Sequence, residues 1–197
     1  PGVDTLLGPE MKSTGEVMGG GATFGDAFAR AQFAAGHRLP ESGTAFISVN
    51  NSDKPNVLPI AKDLLELGFT LMATRGTAAY LRAHGLPADL VFKVNEGRPH
   101  VADHIVSGKI DLVINTPLGR DSFFDDRTVR RVAMHHEVPC ITTLTGASAV
   151  VSAIRALRLG EIRVRPLQEY HAEIGTPSGQ SSGQSTGGHS SGVSMNA

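Results

Sequence analysis

From Gly43 onward, short apolar runs alternate with segments of helical spacing. "GTAFISV" is a continuous apolar run of strand length. "NVLPIAKDLLELG" follows it, with Val57, Ile60, Leu64 and Leu67 three or four residues apart, which predicts a helix stopped by Gly68. The alternation then repeats: "FTLMAT" with "TAAYLRAHG", "DLVFKV" with "HVADHIVSG", "IDLVINT" with "DDRTVRRVAMHHE", and "VPCITT" with "GASAVVSAIRALRLG". Strands that read as near-continuous apolar runs are covered on both faces, and strand–helix alternation builds right-handed βαβ units. The expected fold is therefore α/β: a parallel sheet of about five strands with helices on both faces, in a Rossmann-like three-layer arrangement.

The flanks read differently. In "GGGATFGDAFARAQFAAGH", Thr23 with Asp26 three residues on has the form of a capping box, and Phe24, Ala27, Ala31 and Ala34 supply a helical stripe. Gly19, Gly20 and Gly21 have the wrong spacing for GxGxxG, and no clear βαβ unit surrounds them, so a flexible hinge before a helix is expected. The opening "PGVDTLLGPEMKSTGEVMG" has no initiator Met and reads as the last strand or two of something larger. "GTPSGQSSGQSTGGHSSGVSMNA", with Gln180 and Gln184 in a short SGQS repeat, has almost no large apolar groups and reads as a disordered tail. The expected layout is an end of a preceding domain, hinge and connecting helix over 1–40, the α/β domain over 41–174, and the tail over 175–197.

Composition narrows the function. A chain of 197 residues suffices for one domain with a full core plus extensions. A net charge of −1, no Trp and 5% aromatics argue against nucleic acid and acidic lipid as partners. Nothing approaches membrane-spanning length and no signal-peptide pattern opens the chain, so a cytoplasmic location is expected. The single cysteine, Cys140, excludes an internal disulfide and a cysteine-rich zinc site, and in "VPCITT" it reads as a buried strand thiol.

Candidate chemistry gathers at one end of the strands, where parallel α/β sheets bind ligands. Lys54 stands in the loop after the first strand. Thr74, Gly76 and Thr77 in "MATRGTAAY" follow the second, Lys93 ends the third, and Asn115 with Thr116 ends the fourth. Hydroxyls and free N–H groups at a helix N-terminus favour an anion; ordinary capping, with Thr77 as N-cap, is the bland account of the same residues. Each lysine by itself is most simply a solvated loop charge, but the convergence of four loops supports phosphate, with the Asn115 amide suited to a base or ribose.

"STGEVMG", "ATRGTA", "KVNEGRPH", "SGKIDLVINT" and "TTLTGA" together resemble the C-terminal portion of the carbamoyl-phosphate synthase large subunit, which carries a domain similar to methylglyoxal synthase. The resemblance runs from about Leu6 to His171, and "LLGPEMKSTGEVMG" resembles the final strand of that enzyme's ATP-grasp domain. It implies an allosteric domain that binds UMP and in some members IMP. Residues matching Lys54, Thr74, Thr77 and Lys93 hold the phosphate, and the match at Asn115 reaches the nucleotide. A further family hydroxyl falls on Pro117, which has neither hydroxyl nor N–H, and Arg75 stands where some members have histidine. Ornithine, an activator in several members, binds at a junction that Thr142 matches. The implied parent enzyme uses ATP with Mg2+ or Mn2+ and K+ to make carbamoyl phosphate from bicarbonate and ammonia, for arginine and pyrimidine synthesis. Its implied partners are the rest of the large subunit and a glutaminase small subunit. No cofactor and no catalytic residue is expected in the present chain.

The competing reading is the lyase itself, acting on dihydroxyacetone phosphate. Its carboxylate base would fall on Arg98, and a guanidinium cannot accept a proton. Glu96 and Asp103 are the displaced alternatives. His100 and His104, four apart on one predicted helix, lack a third metal ligand and read as surface histidines. His135 and His136 suit a helix C-terminus, and Asp125, Asp126, Arg127, Arg130 and Arg131 read as a solvated or docking helix face. A dinucleotide dehydrogenase lacks its glycine fingerprint.

Overall fold

A computed structural model describes residues 17–116, 123–160 and 168–169, with the backbone alone at 123–125. The expectations for 1–16, Pro117 and the tail lie outside the described residues. Five parallel strands, β1 (Thr44–Ser48), β2 (Thr70–Ala73), β3 (Asp89–Leu90), β4 (Leu112–Asn115) and β5 (Cys140–Ile141), stand in the order β3-β2-β1-β4-β5. The helices are α1 (Phe24–Ala34), α2 (Lys54–Glu66), α3 (Arg75–Ala83), α4 (Val101–Val106), α5 (Phe123–His135) and α6 (Leu144–Leu159).

The parallel α/β expectation holds, and the three central strands are the apolar runs that announced it. Ala45 and Ile47 of β1 face a core shared with Val57 and Leu64 of α2, Leu81 of α3 and Val150 and Ile154 of α6. Phe46 of β1 and Val113 of β4 face the other layer, with Val101 and Ile105 of α4 and Val129 and Ala133 of α5. This alternation is why neither face of β1 could be polar. Gly68, Gly85 and Gly108 all take positive φ where helices were read to stop.

Several boundaries differ from expectation, each for a local reason. The edge strands are shorter than read: only Met72↔Asp89 and Ala73↔Leu90 pair β2 with β3, and only Val113↔Cys140 and Ile114↔Ile141 pair β4 with β5. After β3 the chain makes one isolated bridge, Phe92↔His100, and turns at Lys93. Lys93 therefore sits in a turn and does not end a strand. Lys54 is the first residue of α2 and not a loop residue. Thr74, not Thr77, is the N-cap of α3: its backbone is extended and its carbonyl accepts from Ala78 N–H at 2.7 Å. Cys140 is half-buried, as suits an edge strand, and burial pushes its thiol up in pKa, against the opposing charge of Arg130.

The capping box of α1 forms as read, with Thr23 Oγ1 accepting from Asp26 N–H at 3.2 Å. Its apolar stripe does not. Phe24 is 66% exposed, and the buried residues are Gly25 and Ala29, because α1 lies close on α6 through small residues. A Cβ on Gly25 would stand 2.6 Å from the Ser152 carbonyl oxygen. Gly19 and Gly21 also lie against α1, where a Cβ would meet the helix backbone, so space is what these positions require. Gly25→Ala is expected to lower stability by about 1–3 kcal/mol, the cost of overpacking against fixed backbone. Urea denaturation of the two chains measures it, and equal midpoints would show that α1 can shift at no cost.

Candidate functional site

The strand order reverses between β1 and β4, and in open α/β sheets that reversal leaves a crevice at the C-terminal ends of the strands. The residues there are polar and buried. Ser48 ends β1 and pairs in register with Asn115 at the end of β4, while Thr74 follows β2. Ser48, Thr74, Thr77, Asn115 and Thr116 are between 1% and 8% exposed, and among the described residues the other buried polar side chain is His100.

Three of these are hydroxyls that share one another weakly. Thr74 Oγ1 lies 3.4 Å from both Ser48 Oγ and Thr77 Oγ1. Thr77 Oγ1 also accepts from Val49 N–H at 3.3 Å. Strong O–H···O bonds cluster near 2.7–2.8 Å, and one Thr74 proton cannot serve two acceptors. Beside them, Asn50 N–H donates to Thr116 Oγ1 at 3.3 Å, and Asn50 holds the loop before α2 by donating to Asp53 Oδ2 at 2.6 Å.

One cation stands beside this cluster and a second lies past the end of β3. Lys54 Nζ reaches over the start of α3: it is 3.4 Å from where a Cβ on Gly76 would be and 6.0 Å from the Tyr80 ring centroid. Lys93 lies three positions past β3, its backbone N–H donating to Glu96 Oε2 at 3.0 Å. Neither ammonium has an ion pair among the described residues. Gly76 and Arg75 are exposed in the first turn of α3. Thr142 follows β5, whose Ile141 pairs with Ile114, so it stands level with Asn115 on the same rim.

Two rim residues were missed or misread from sequence. Ser48 was read as part of an apolar strand; a lone hydroxyl at a strand's last position was the available signal. Asp126 was read as part of a solvated or docking face of α5, yet its Oδ1 accepts from Asn115 Nδ2 at 2.9 Å. No sequence signal joins α5 to the end of β4.

His100 is likewise no surface histidine. It is the buried N-cap of α4, its Nδ1 accepting from Asp103 N–H at 3.3 Å while Asp103 Oδ2 accepts from His100 N–H at 3.0 Å. His104 stands in the last turn of the same short helix. Arg98 Nη1 lies 3.4 Å from Asp103 Oδ1. The His100 backbone bond does most to hold the Asp103 carboxyl below its ordinary 3.8, with His100 and Arg98 adding to it against desolvation. No group of three or more His, Cys, Asp or Glu side chains among the described residues could hold a metal ion. A cleft of about 780 Å³ lies away from the rim, between Phe33 of α1, Leu39 and the end of α6.

The fold agrees with a comparison to known families. A family model described as MGS-like domain matches residues 56–142, from the first turn of α2 to just past β5. Over nearly its whole length the chain is, further, similar to the carbamoyl phosphate synthase large chain. It is 52% identical over 172 residues to that of Acidobacterium capsulatum, covering 87% of this chain and 16% of the relative. It is 52% identical over 178 residues to the C-terminal section of the large chain of Methanopyrus kandleri, covering 90% and 33%. With Pseudomonas syringae pv. tomato the identity is 53% over 173 residues, covering 87% and 16%. The chain thus spans between 16% and 33% of the length of these curated relatives. No helix among the described residues is long and apolar enough to cross a membrane.

The α4 cap carries a pH signature. Because the folded-state pKa of Asp103 is depressed, its contribution to stability is complete above 3.8 and is lost as pH falls through the lower folded value. Asp103→Ala should therefore be less stable than wild type near neutral pH, with the gap closing in acid. Denaturant midpoints at about pH 7 and about pH 3 test this, and a gap that persists unchanged in acid would contradict the role given to the carboxylate.

Proposed function

We propose that this chain is the effector-binding domain of a carbamoyl phosphate synthase large chain, and that its rim takes the phosphate of UMP or, as a second effector, IMP. The observation that carries this reading is the buried hydroxyl cluster of Ser48, Thr74 and Thr77. Its internal hydrogen bonds are long and fewer than its protons could make, and it lies by the switch point beside Lys54, which has no ion pair among the described residues. A phosphate offers only acceptors. Its oxygens can take the hydroxyl protons that now lack good partners, the N–H groups at the start of α3, and the charges of Lys54 and Lys93. Gly76 leaves room for that approach beside Lys54 Nζ. Thr116, held by Asn50, keeps its hydroxyl proton for the same ligand. With Thr142 level with the rim, ornithine at the adjacent domain junction fits the same arrangement.

In this reading the chemistry belongs to the parent enzyme, which would use ATP, Mg2+ or Mn2+ and K+ to join bicarbonate with ammonia from its glutaminase partner in the cytoplasm. The chain's own contribution is differential affinity: a nucleotide changes the parent's activity only as far as it binds two states of the whole unequally. The lyase reading is not favoured. Arg98 has no lone pair to take a proton, Asp103 is tied into the α4 cap with a lowered pKa, and Glu96 accepts from the Lys93 N–H.

Calorimetric titration with UMP tests the site. Lys93→Ala should weaken binding by about 1.5–3 kcal/mol, the range for a hydrogen bond to a charged group; an unchanged affinity would remove Lys93 from the site. Incubation with dihydroxyacetone phosphate should yield no methylglyoxal above background, and turnover abolished by Asp103→Ala or Glu96→Ala would reinstate the lyase.

A further inference from the structure

Lys54 is half-buried, and among the described residues its ammonium has no ion pair. Asp53, the carboxylate next to it in sequence, accepts instead from Asn50 Nδ2 at 2.6 Å. What lies along the ammonium is one face of α3. Gly76, Tyr80 and His84 recur every fourth residue and so share that face. Nζ sits at its start, 3.4 Å from where a Cβ on Gly76 would be and 6.0 Å from the centre of the Tyr80 ring. His84, the C-cap, closes the face: its ring centroid stands 4.4 Å from that of Tyr80, and its Nδ1 lies 2.8 Å from the Tyr80 carbonyl oxygen. A carbonyl only accepts, so this bond fixes the Nδ1–H tautomer and braces the Tyr80 ring against the end of its own helix.

An ammonium at the start of α3 meets the positive end of the helix, which by itself would push it out toward water. The face of a tyrosine ring attracts a cation through its quadrupole and carries no net charge. A carboxylate there would also hold Lys54, but it would neutralise the charge and would have to be displaced by any incoming anion. We propose that Tyr80 is a positioning residue: its ring, braced by His84, keeps the Lys54 ammonium over the first turn of α3, with its charge unspent, before a phosphate arrives. The inference rests on the phosphate reading of the rim and adds to it the group that sets the lysine in place.

Proton NMR of the full 197-residue chain without ligand reads the geometry. The Lys54 ε-methylene resonances should lie upfield of those of the other lysines, keep that shift in Tyr80→Phe and lose it in Tyr80→Leu. Unshifted resonances in wild type would overturn the inference, a result readable whether or not the leucine variant folds. Calorimetric titration with UMP reads the consequence. Tyr80→Leu should weaken binding by about two- to fivefold, the worth of one half-exposed cation–π contact, and Tyr80→Phe should restore it. In a Lys54→Met background Tyr80→Leu should cost nothing further. An equal loss with and without the lysine would show that Tyr80 acts through the fold or on the ligand itself, and would overturn the inference alone. No binding of UMP by wild type, with the upfield shift present, would overturn the phosphate reading and with it the role given to Tyr80.

Discussion

The reversal of strand order between β1 and β4 is the constraint on which the site depends. Right-handed crossovers send α2 and α3 to one face of the sheet and α4 and α5 to the other. The crossovers from β1 and to β4 therefore lie on opposite faces of the sheet, which leaves a crevice between the two strand ends in folds of this topology. Ser48 and Asn115, paired across that gap, are where the two cores meet and where polar groups can be buried without being sealed. The apolar runs below them fix the register: moving β1 by one residue would turn Ala45 and Ile47 out of their core and Ser48 into it.

Burying several hydroxyls in one place has a cost that internal bonding only partly offsets. The bonds among Ser48, Thr74 and Thr77 are long because each hydroxyl is held by a different strand end or helix turn, and none can move toward the others without disturbing the core beneath. A site whose donors are fixed before a ligand arrives loses little entropy on binding. The contrast with α4 is instructive. There His100 and Asp103 satisfy each other reciprocally at 3.0 and 3.3 Å, and these polar groups serve the helix cap.

What could be read from sequence follows from how local each signal is. The apolar runs of β1, β2 and β4, the capping box of Thr23 and the glycine stops depend on neighbours within a few residues, and they were legible. The rim residues Lys54, Thr74, Gly76, Thr77, Asn115 and Thr116 were legible as a group because parallel topology alone brings strand ends together. The lengths of β3 and β5 were not, since an edge strand extends only as far as its single partner allows. The stripe of α1 was misread because large apolar residues were weighted as the buried face, whereas close approach to α6 selects Gly25 and Ala29. Asp126 was out of reach for a different reason: its partner lies eleven residues away on another element, and only tertiary packing sets α5 against the end of β4.

The family match covers residues 56–142, yet the molecule's organisation extends past it on both sides. β1, which supplies Ser48, precedes the matched segment, and α6, which begins beside the rim at Thr143, follows it. α6 buries one side in the core with Val150 and Ile154 and carries α1 through the close approach of Gly25 to Ser152. The helix that starts at the rim is thus the one on which the preceding segment of chain is seated. β1 and α3, which carry Ser48 and Thr77 of the hydroxyl cluster, share their core with α6. A core packed to this density passes strain at one element to its neighbours. Rim and α1 are thus joined through one core and one helix, on the α2–α3–α6 face.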